Sequence, residues 1–441
     1  MNETNSLPTE QAQATTRVRT DHHLWGTYIL LVIVAIIELF SASIQEATDG
    51  SIFRPILRHG SFIIPGLILM LLLQKIHYRY IYKLIPVFVV GCIGLMLAVT
   101  FFGKEYHGAT RGIVIAGVPI LPAEFMKLGA ALGMTWILTR NQDKSRRDVT
   151  RKGLWYSLGF MGICAGLLFS QGLSNTIIVV CICFSMMLVG GMSMRKFFFA
   201  IALCMCIGGG ALAFKMYGKS EKSVSEYQLK EALLNHTEVD NDSGQGRGIT
   251  WKSRLKRHFS GNKHKEQFKT EYQQELLSYI AQAHGGAFGV GVGRSRENAR
   301  LPLAYSDYIY AIIIEELGLF VGIGILICYL WILGRSAKLT VRFKHTMPGV
   351  LVMGCAFVIV FQALYHMAIV TGVFPVSGQP LPLISKGGIS VIATSLAFGI
   401  MLSVARHAVR ITDTPAEQRQ EQEILPENAR SINPSLVESN A

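Results

Sequence analysis

The sequence predicts an all-α polytopic membrane protein of about ten transmembrane helices, and three observations carry that expectation. Half of the residues are hydrophobic and 16% are charged, more apolar surface than a soluble chain of 441 residues buries easily in one core. Apolar runs of bilayer length recur almost from end to end. The net charge of +13 sits mostly in short gaps between those runs, and on alternate gaps, as cytoplasmic loops require. Topology therefore accounts for the basic balance, and no nucleic-acid partner is called for.

Residues 1–23 form a polar leader, read as disordered and cytoplasmic, ending in Arg17, Arg19, His22 and His23. The first span covers 24–44, and no small-x-small cleavage site follows it, so it is expected to stay as an anchor. Further spans fall near 58–75, 81–102, 119–139, 154–170, 175–192, 197–216, 307–333, 347–372 and 382–405. Lys75/Arg79/Lys83, Lys144 to Lys152, Arg195/Lys196, Arg335 to Lys344 and Arg406/Arg410 mark the cytoplasmic gaps, where both termini also lie. The gaps near 46–57, 103–118, 171–174, 217–306 and 373–381 are then external. The 217–306 loop carries Lys252, Arg254, Lys256, Arg257 and His258. Long translocated loops escape the charge rule, so this cluster reads as a solvated face or an attraction to anionic lipid head groups. The tail, 411–441, is rich in Glu, Gln, Pro and Asn and reads as disordered, leaving 24–410 as the membrane domain. All eight cysteines lie inside apolar segments, so neither a disulfide framework nor a zinc site is expected.

Four polar islands converge on the outer side. In the first, His107 to Leu128, Glu124 and Lys127 are three apart on a helix and can satisfy each other at depth, whereas Arg111 has no adjacent acid and is a phosphate candidate. The second, QGLSNT from Gln171 to Thr176, is a polar turn or simply a hairpin connection.

The third island is HGGAFGVGVGRS followed by LPLAYSDYIYAIIIEELG. Gly285, Gly286 and the glycines after them would let the backbone approach a ligand, but they follow no strand, so a nucleotide fold is not implied. Arg294 and Arg296 add cations, Pro302 breaks the backbone, and Ser306 or Asp307 is expected to cap the next helix. A cap would favour the charged form of Asp307, as suits a carboxylate base. Glu315 lies roughly 12 Å deeper at helical rise and is expected to pair inside the bundle. The fourth island, Thr371 to Ser390, has three prolines and reads as an outer loop breaking into the last span, with Lys386 near Ser377, Gln379 and Ser385.

At these islands the chain closely resembles the shape, elongation, division and sporulation (SEDS) family. FSAS from Phe40, GATR ending at Arg111, PAEFMKL from Pro122, GGAFGVGVGRS, LPLAYSDYIYAIIIEELG, Gln362 and FPVSGQPLPLISKGG match in order over the membrane portion. The last of these is more similar to the family's division members than to its elongation members. The resemblance implies an inverting peptidoglycan glycosyltransferase that polymerises lipid II at the outer face of the bacterial cytoplasmic membrane. It also implies a class B penicillin-binding protein transpeptidase and other division proteins as partners. The family's aspartate, in its LPEAHTDF-type motif, falls on Asp307, although Leu303 and Tyr305 stand where Glu and His are usual. Gly112 stands for the usual Trp, Leu121 for the Gln of QPSE, and QGLSNT lacks the usual acid.

On this reading Asp307 takes the proton from the acceptor's 4-hydroxyl, and Arg111, Arg294, Arg296 and Lys386 are candidates to hold the leaving pyrophosphate. No cofactor motif stands out, no metal site is called, and a divalent cation is left open. Two other classes compete: a transporter of lipid-linked precursors lined by Glu124, Lys127, Glu315 and Glu316, and a non-catalytic division scaffold.

Overall fold

The computed structural model describes residues 20–46, 53–102, 104–106, 109–115, 118–143, 148–169, 171–217, 273–297, 300–301, 304–375, 377–408 and 410. The leader to residue 19, the basic cluster from Lys252 to His258, Pro302 and the tail lie outside the described residues. The described residues form thirteen helices. In chain order they are α1 (His22–Glu46), α2 (Phe53–Lys75), α3 (Tyr78–Phe102), α4 (Pro122–Arg140), α5 (Arg151–Phe169), α6 (Leu173–Val189) and α7 (Met194–Tyr217). There follow α8 (Gln273–Gly285), α9 (Ala304–Asp307), α10 (Ile309–Leu317), α11 (Leu319–Arg342), α12 (Thr346–Val370) and α13 (Gly388–His407). Among the described residues, six helices are long and apolar enough to cross a bilayer, and two shorter apolar stretches lie in α2 and α6. The chain is a multi-pass membrane protein.

α12 is buried along almost its whole length, and α4 and α13 along most of theirs, so these three form the centre of the bundle. The outer helices turn large apolar side chains away from the protein: Val87, Val90, Phe101 and Met205 are each at least 69% exposed. Such surface is costly in water and free of cost against lipid tails. Prolines inside α2 and α3, Pro65 and Pro86, are tolerated because neighbouring groups in a bundle can satisfy the freed carbonyls.

The structure departs from the sequence expectation at three places. The gap after α3, expected to be external, holds a three-stranded antiparallel sheet, β1 (Lys104–Tyr106), β2 (Ala109–Ile115) and β3 (Val118–Ile120), set into an otherwise helical fold. The expected span at 307–333 is two elements, because Gly318 takes φ +89 and ends α10 before α11 begins. The membrane-length helix is α11, and α10 is a short helix buried on every side. Part of the expected polar loop, α8, packs on α10 with Leu277, Ser278 and Ala281 buried. A run from Tyr308 to Leu333 that is apolar except for Glu315 and Glu316 hides the break, since hydropathy cannot register one positive φ.

Candidate active site

α4 begins at Pro122, whose missing N–H suits a first helical position, and this start sets Glu124 and Lys127 on one face a turn apart. Lys127 Nζ is fully buried and donates to Glu124 Oε1 at 2.8 Å and to Gln362 Oε1 of α12 at 2.7 Å. Gln362 Nε2 closes the triangle onto Glu124 Oε2 at 3.1 Å and also reaches the Pro380 carbonyl at 3.1 Å. An ammonium, a carboxylate and an amide thus satisfy one another at depth, which a buried charge requires. The expected Glu124–Lys127 pairing is present, with Gln362 as its third member.

The segment from Ser377 to Gly387 is laid over this triangle. Gln379 Oε1 accepts from Lys127 at 3.4 Å, and the Gln379 carbonyl lies 2.6 Å from His366 Nδ1 of α12. Ser385 Oγ donates to the Ser306 carbonyl at 2.9 Å, and Lys386 N donates to the Tyr305 carbonyl at 2.9 Å. The proline-rich segment is therefore stitched on one side to the α4–α12 triangle and on the other to α9, where Asp307 sits. Asp307 is half-buried, and Ser306 Oγ donates to its Oδ1 at 3.0 Å. Lys386 Nζ lies 5.8 Å from the centre of the Tyr305 ring. Ser377 is buried beside them.

Asp307 does not cap α10: the N-cap is Tyr308, without a side-chain bond, and Asp307 closes the four-residue α9 instead. Its orientation comes from the kink at Tyr308, where φ is −128.

The glycine-rich stretch is brought against α10. Gly285 packs so closely that a Cβ there would meet the Ile314 carbonyl, and one at Gly289 would meet the Glu316 carbonyl. Val290 N and Gly291 N donate to the Glu315 and Glu316 carbonyls at 2.9 Å each, satisfying the last orphan acceptors of α10. Gly286, at φ +55, makes the turn out of α8. Gly285 and Gly289 serve close approach of backbone to backbone.

Both carboxylates of α10 hold the same loop. Glu315 accepts from Ser295 Oγ at 2.5 Å and from Arg296 N at 3.1 Å, and Glu316 accepts from Ser41 Oγ of α1 at 2.5 Å and from Gly293 N at 3.1 Å. Glu315 does pair in the interior, with the loop as its partner. Arg294 and Arg296 are left exposed on the loop's outer side.

Gln171 is buried at the α5–α6 turn, away from these contacts, with Nε2 unpartnered. Arg111 lies on β2, and its side chain is outside the described residues, as is Pro302. Sequence reading missed Glu38, in the middle of α1 and 1% exposed, and His366. A carboxylate within an apolar span is signal enough for Glu38.

The family model described as "Cell cycle protein" for FtsW, RodA and SpoVE matches residues 21–410, which takes in every element of this site. The chain belongs to the FtsW/RodA/SpoVE family. Among curated members, it is 28% identical over 397 residues to the probable peptidoglycan glycosyltransferase FtsW of Trichlorobacter lovleyi, covering 86% of this chain and 92% of that one. It is 26% identical over 427 residues to the FtsW of the same description from Hahella chejuensis, covering 94% and 97%. The fold is shared with solved family structures. One, from work on structural coordination of polymerization and crosslinking by a peptidoglycan synthase complex, gives a TM-score of 0.59 at 21% identity over 89% of this chain and 99% of that one. Thermus thermophilus RodA gives 0.58 at 20% identity over 90% and 99%.

Proposed function

We propose that this family member is a peptidoglycan glycosyltransferase that polymerises lipid II into β-1,4 glycan at the outer face of the bacterial cytoplasmic membrane, in septal wall synthesis. The observation that carries the reading is the placement of Asp307: a half-buried carboxylate at the kink between two short helices, stitched through Ser306 and Tyr305 to the Ser385–Lys386 segment. A general base needs a fixed carboxylate within reach of a substrate hydroxyl, and this framework fixes one.

In the proposed step Asp307 removes the proton from the acceptor sugar's 4-hydroxyl as that oxygen attacks the donor's anomeric carbon. The bond to the lipid pyrophosphate breaks on the opposite face, inverting the centre. Lys386, Arg294 and Arg296 are cations on the same side that can receive the developing phosphate charge. The Glu124–Lys127–Gln362 triangle is bonded within itself and to Gln379 and the Pro380 carbonyl, and so serves as the floor beneath the proline-rich segment. That closure also disfavours a transport path lined by the same charges.

Sidedness has support from charge. Arg335, paired with Asp21 at 2.8 Å, and Lys75, Arg79, Arg140, Arg342 and Arg406 lie at the helix ends remote from Asp307, as cytoplasmic ends would. The naming of its relatives as FtsW supports the division role, and the similar peptidoglycan synthase complex supports a transpeptidase partner of the class B penicillin-binding type.

Purified protein, with and without that transpeptidase, is given labelled lipid II. Glycan polymer is the expected product. Transfer of label across vesicles without polymer would instead establish a transporter.

A further inference from the structure

The glycine-rich turn carries a row of apolar side chains that its bonds to α10 leave uncovered. Phe288 is 84% exposed, and Val290 and Val292 also face outward, alternating with glycines along the chain. In water such a row is costly. The backbone beneath it is tied to the start of α11: Leu319 N and Phe320 N donate to the Gly286 and Ala287 carbonyls at 3.0 and 3.3 Å, and the Phe288 ring lies 5.5 Å from the Phe320 ring. Phe288 is therefore held at the depth of the first turn of a membrane-length helix.

That depth follows from the length of α11. Arg335, paired with Asp21, marks where the apolar part of the helix ends on one side of the bilayer. Phe320 comes fifteen residues earlier, about 22 Å away at helical rise, and any tilt shortens the distance. The hydrocarbon core is about 30 Å thick, so Phe320 and the Phe288 ring beside it fall within the far leaflet, short of its outer edge. Phe320, Ile323, Ile327 and Leu330 form an exposed stripe at helical spacing, and Phe288 continues it beyond the helix end.

Irregular backbone at this depth is stable only where the protein supplies its hydrogen bonds. Val290 N and Gly291 N donate to the last carbonyls of α10, and Gly293 N and Arg296 N to the carboxylates of Glu316 and Glu315. A loop standing in water has no need of so many internal bonds. Arg294, at the end of the row, is exposed and folds back on Gly291, its Cδ 3.5 Å from where a Cβ there would lie. An apolar tip with a guanidinium beside it matches a phospholipid, chain against the tip and phosphate against the cation.

We propose that residues 286–293 re-enter the bilayer, with Phe288, Val290 and Val292 in the hydrocarbon of one leaflet and Arg294 on the phosphates of its lipids. Only the choice of the outer leaflet rests on the sidedness proposed above. The last part of the gap expected from sequence to be external is then a membrane-embedded element. It also sets Arg294 at the level where the pyrophosphate of a lipid-linked substrate lies.

The test uses the wild-type full chain in phospholipid nanodiscs, illuminated with one of three diazirine probes: on the upper acyl chain of a phospholipid, on its head group, or dissolved in water. Adducts are located by peptide mass spectrometry. The acyl-chain probe is expected to mark Phe288 within about threefold of its yield on Phe320, and not to mark Lys344, exposed beyond the other end of α11. The head-group probe is expected to mark Arg294, and the water-soluble probe to mark Phe288 at least about tenfold less than Lys344. Water-soluble adducts on Phe288 as abundant as those on Lys344, with none from the acyl chain, overturn the proposal. So do acyl-chain adducts that vanish when the transpeptidase is added, which would assign this face to a transmembrane partner. No step here needs turnover, so absence of polymer in the lipid II assay would remove the glycosyltransferase reading and leave these outcomes intact.

Discussion

Gly378 faces Asp307 so closely that a Cβ on it would lie 2.7 Å from Asp307 Oδ2 and 3.3 Å from its Cγ. The position of the carboxylate thus depends on the absence of one methyl group in a different segment. Gly378→Ala is expected to push the Asp307 side chain from its place and lower glycan synthesis at least tenfold, since a small displacement of a reacting group is costly. Thermal stability should change by no more than about 1 kcal/mol, because the site is half-open and the carboxylate can turn. Polymerisation and a melting curve on the same preparation separate the two effects.

The α4–α12 triangle predicts an asymmetry. Lys127→Ala strands Glu124 as a buried carboxylate and is expected to destabilise by about 3–5 kcal/mol. Lys127→Met with Glu124→Leu removes both charges together and should recover most of that loss. Denaturation in detergent, followed by near-ultraviolet circular dichroism, would show it.

Two adjacent glycines should behave differently. A Cβ at Gly285 collides with the backbone of α10 at Ile314 and Glu315, so Gly285→Ala is expected to cost more than about 2 kcal/mol. A Cβ at Gly286 meets nothing within 4 Å, so the penalty of Gly286→Ala comes from its φ of +55 alone, about 1–2 kcal/mol. Comparable losses for both would mean that α8 is not seated on α10 as described.

On the opposite side of the bundle, Asp148 joins the α4–α5 turn to α7 through Lys196 Nζ at 2.7 Å and Ser193 N at 2.9 Å. Partial burial raises its carboxyl, but the Lys196 ammonium and the Ser193 N–H outweigh that and hold it below the usual value. The folded form therefore binds this proton less readily than the unfolded one, so the contribution is present at neutral pH and is lost as pH falls through the lowered folded value. Lys196→Ala should destabilise by about 0.5 kcal/mol at pH 7, and the difference from wild type should vanish in acid.

Much of this was legible in the chain. Apolar runs locate most of the long helices within about six residues, α11 being the exception, and the spacing of Glu124 and Lys127 announces their pairing. Apolar composition does not reveal the kink at Tyr308 or the break at Gly318, because both are backbone events inside a mostly hydrophobic run. The glycines of the third island read from sequence as places where backbone can approach closely, without showing that Gly285 and Gly289 pack on other backbone. Their partner, the α10 backbone, is separated from them by a span of chain over which no local pattern reports contact. Asp307 stood out as an acid at the mouth of an apolar segment, but its neighbour Gly378 did not, since a glycine's role is visible only from what faces it. Glu38 is legible by the same argument as Asp307, an acid inside an apolar span.

The most direct test of the whole account is lipid II polymerisation by Asp307→Asn, which keeps the shape and the Ser306 hydrogen bond but cannot take a proton. With the variant inserted and folded as the wild type is, glycan synthesis is expected to fall by about 10²-fold or more. Polymer made at the wild-type rate would contradict the assignment of Asp307 as the base.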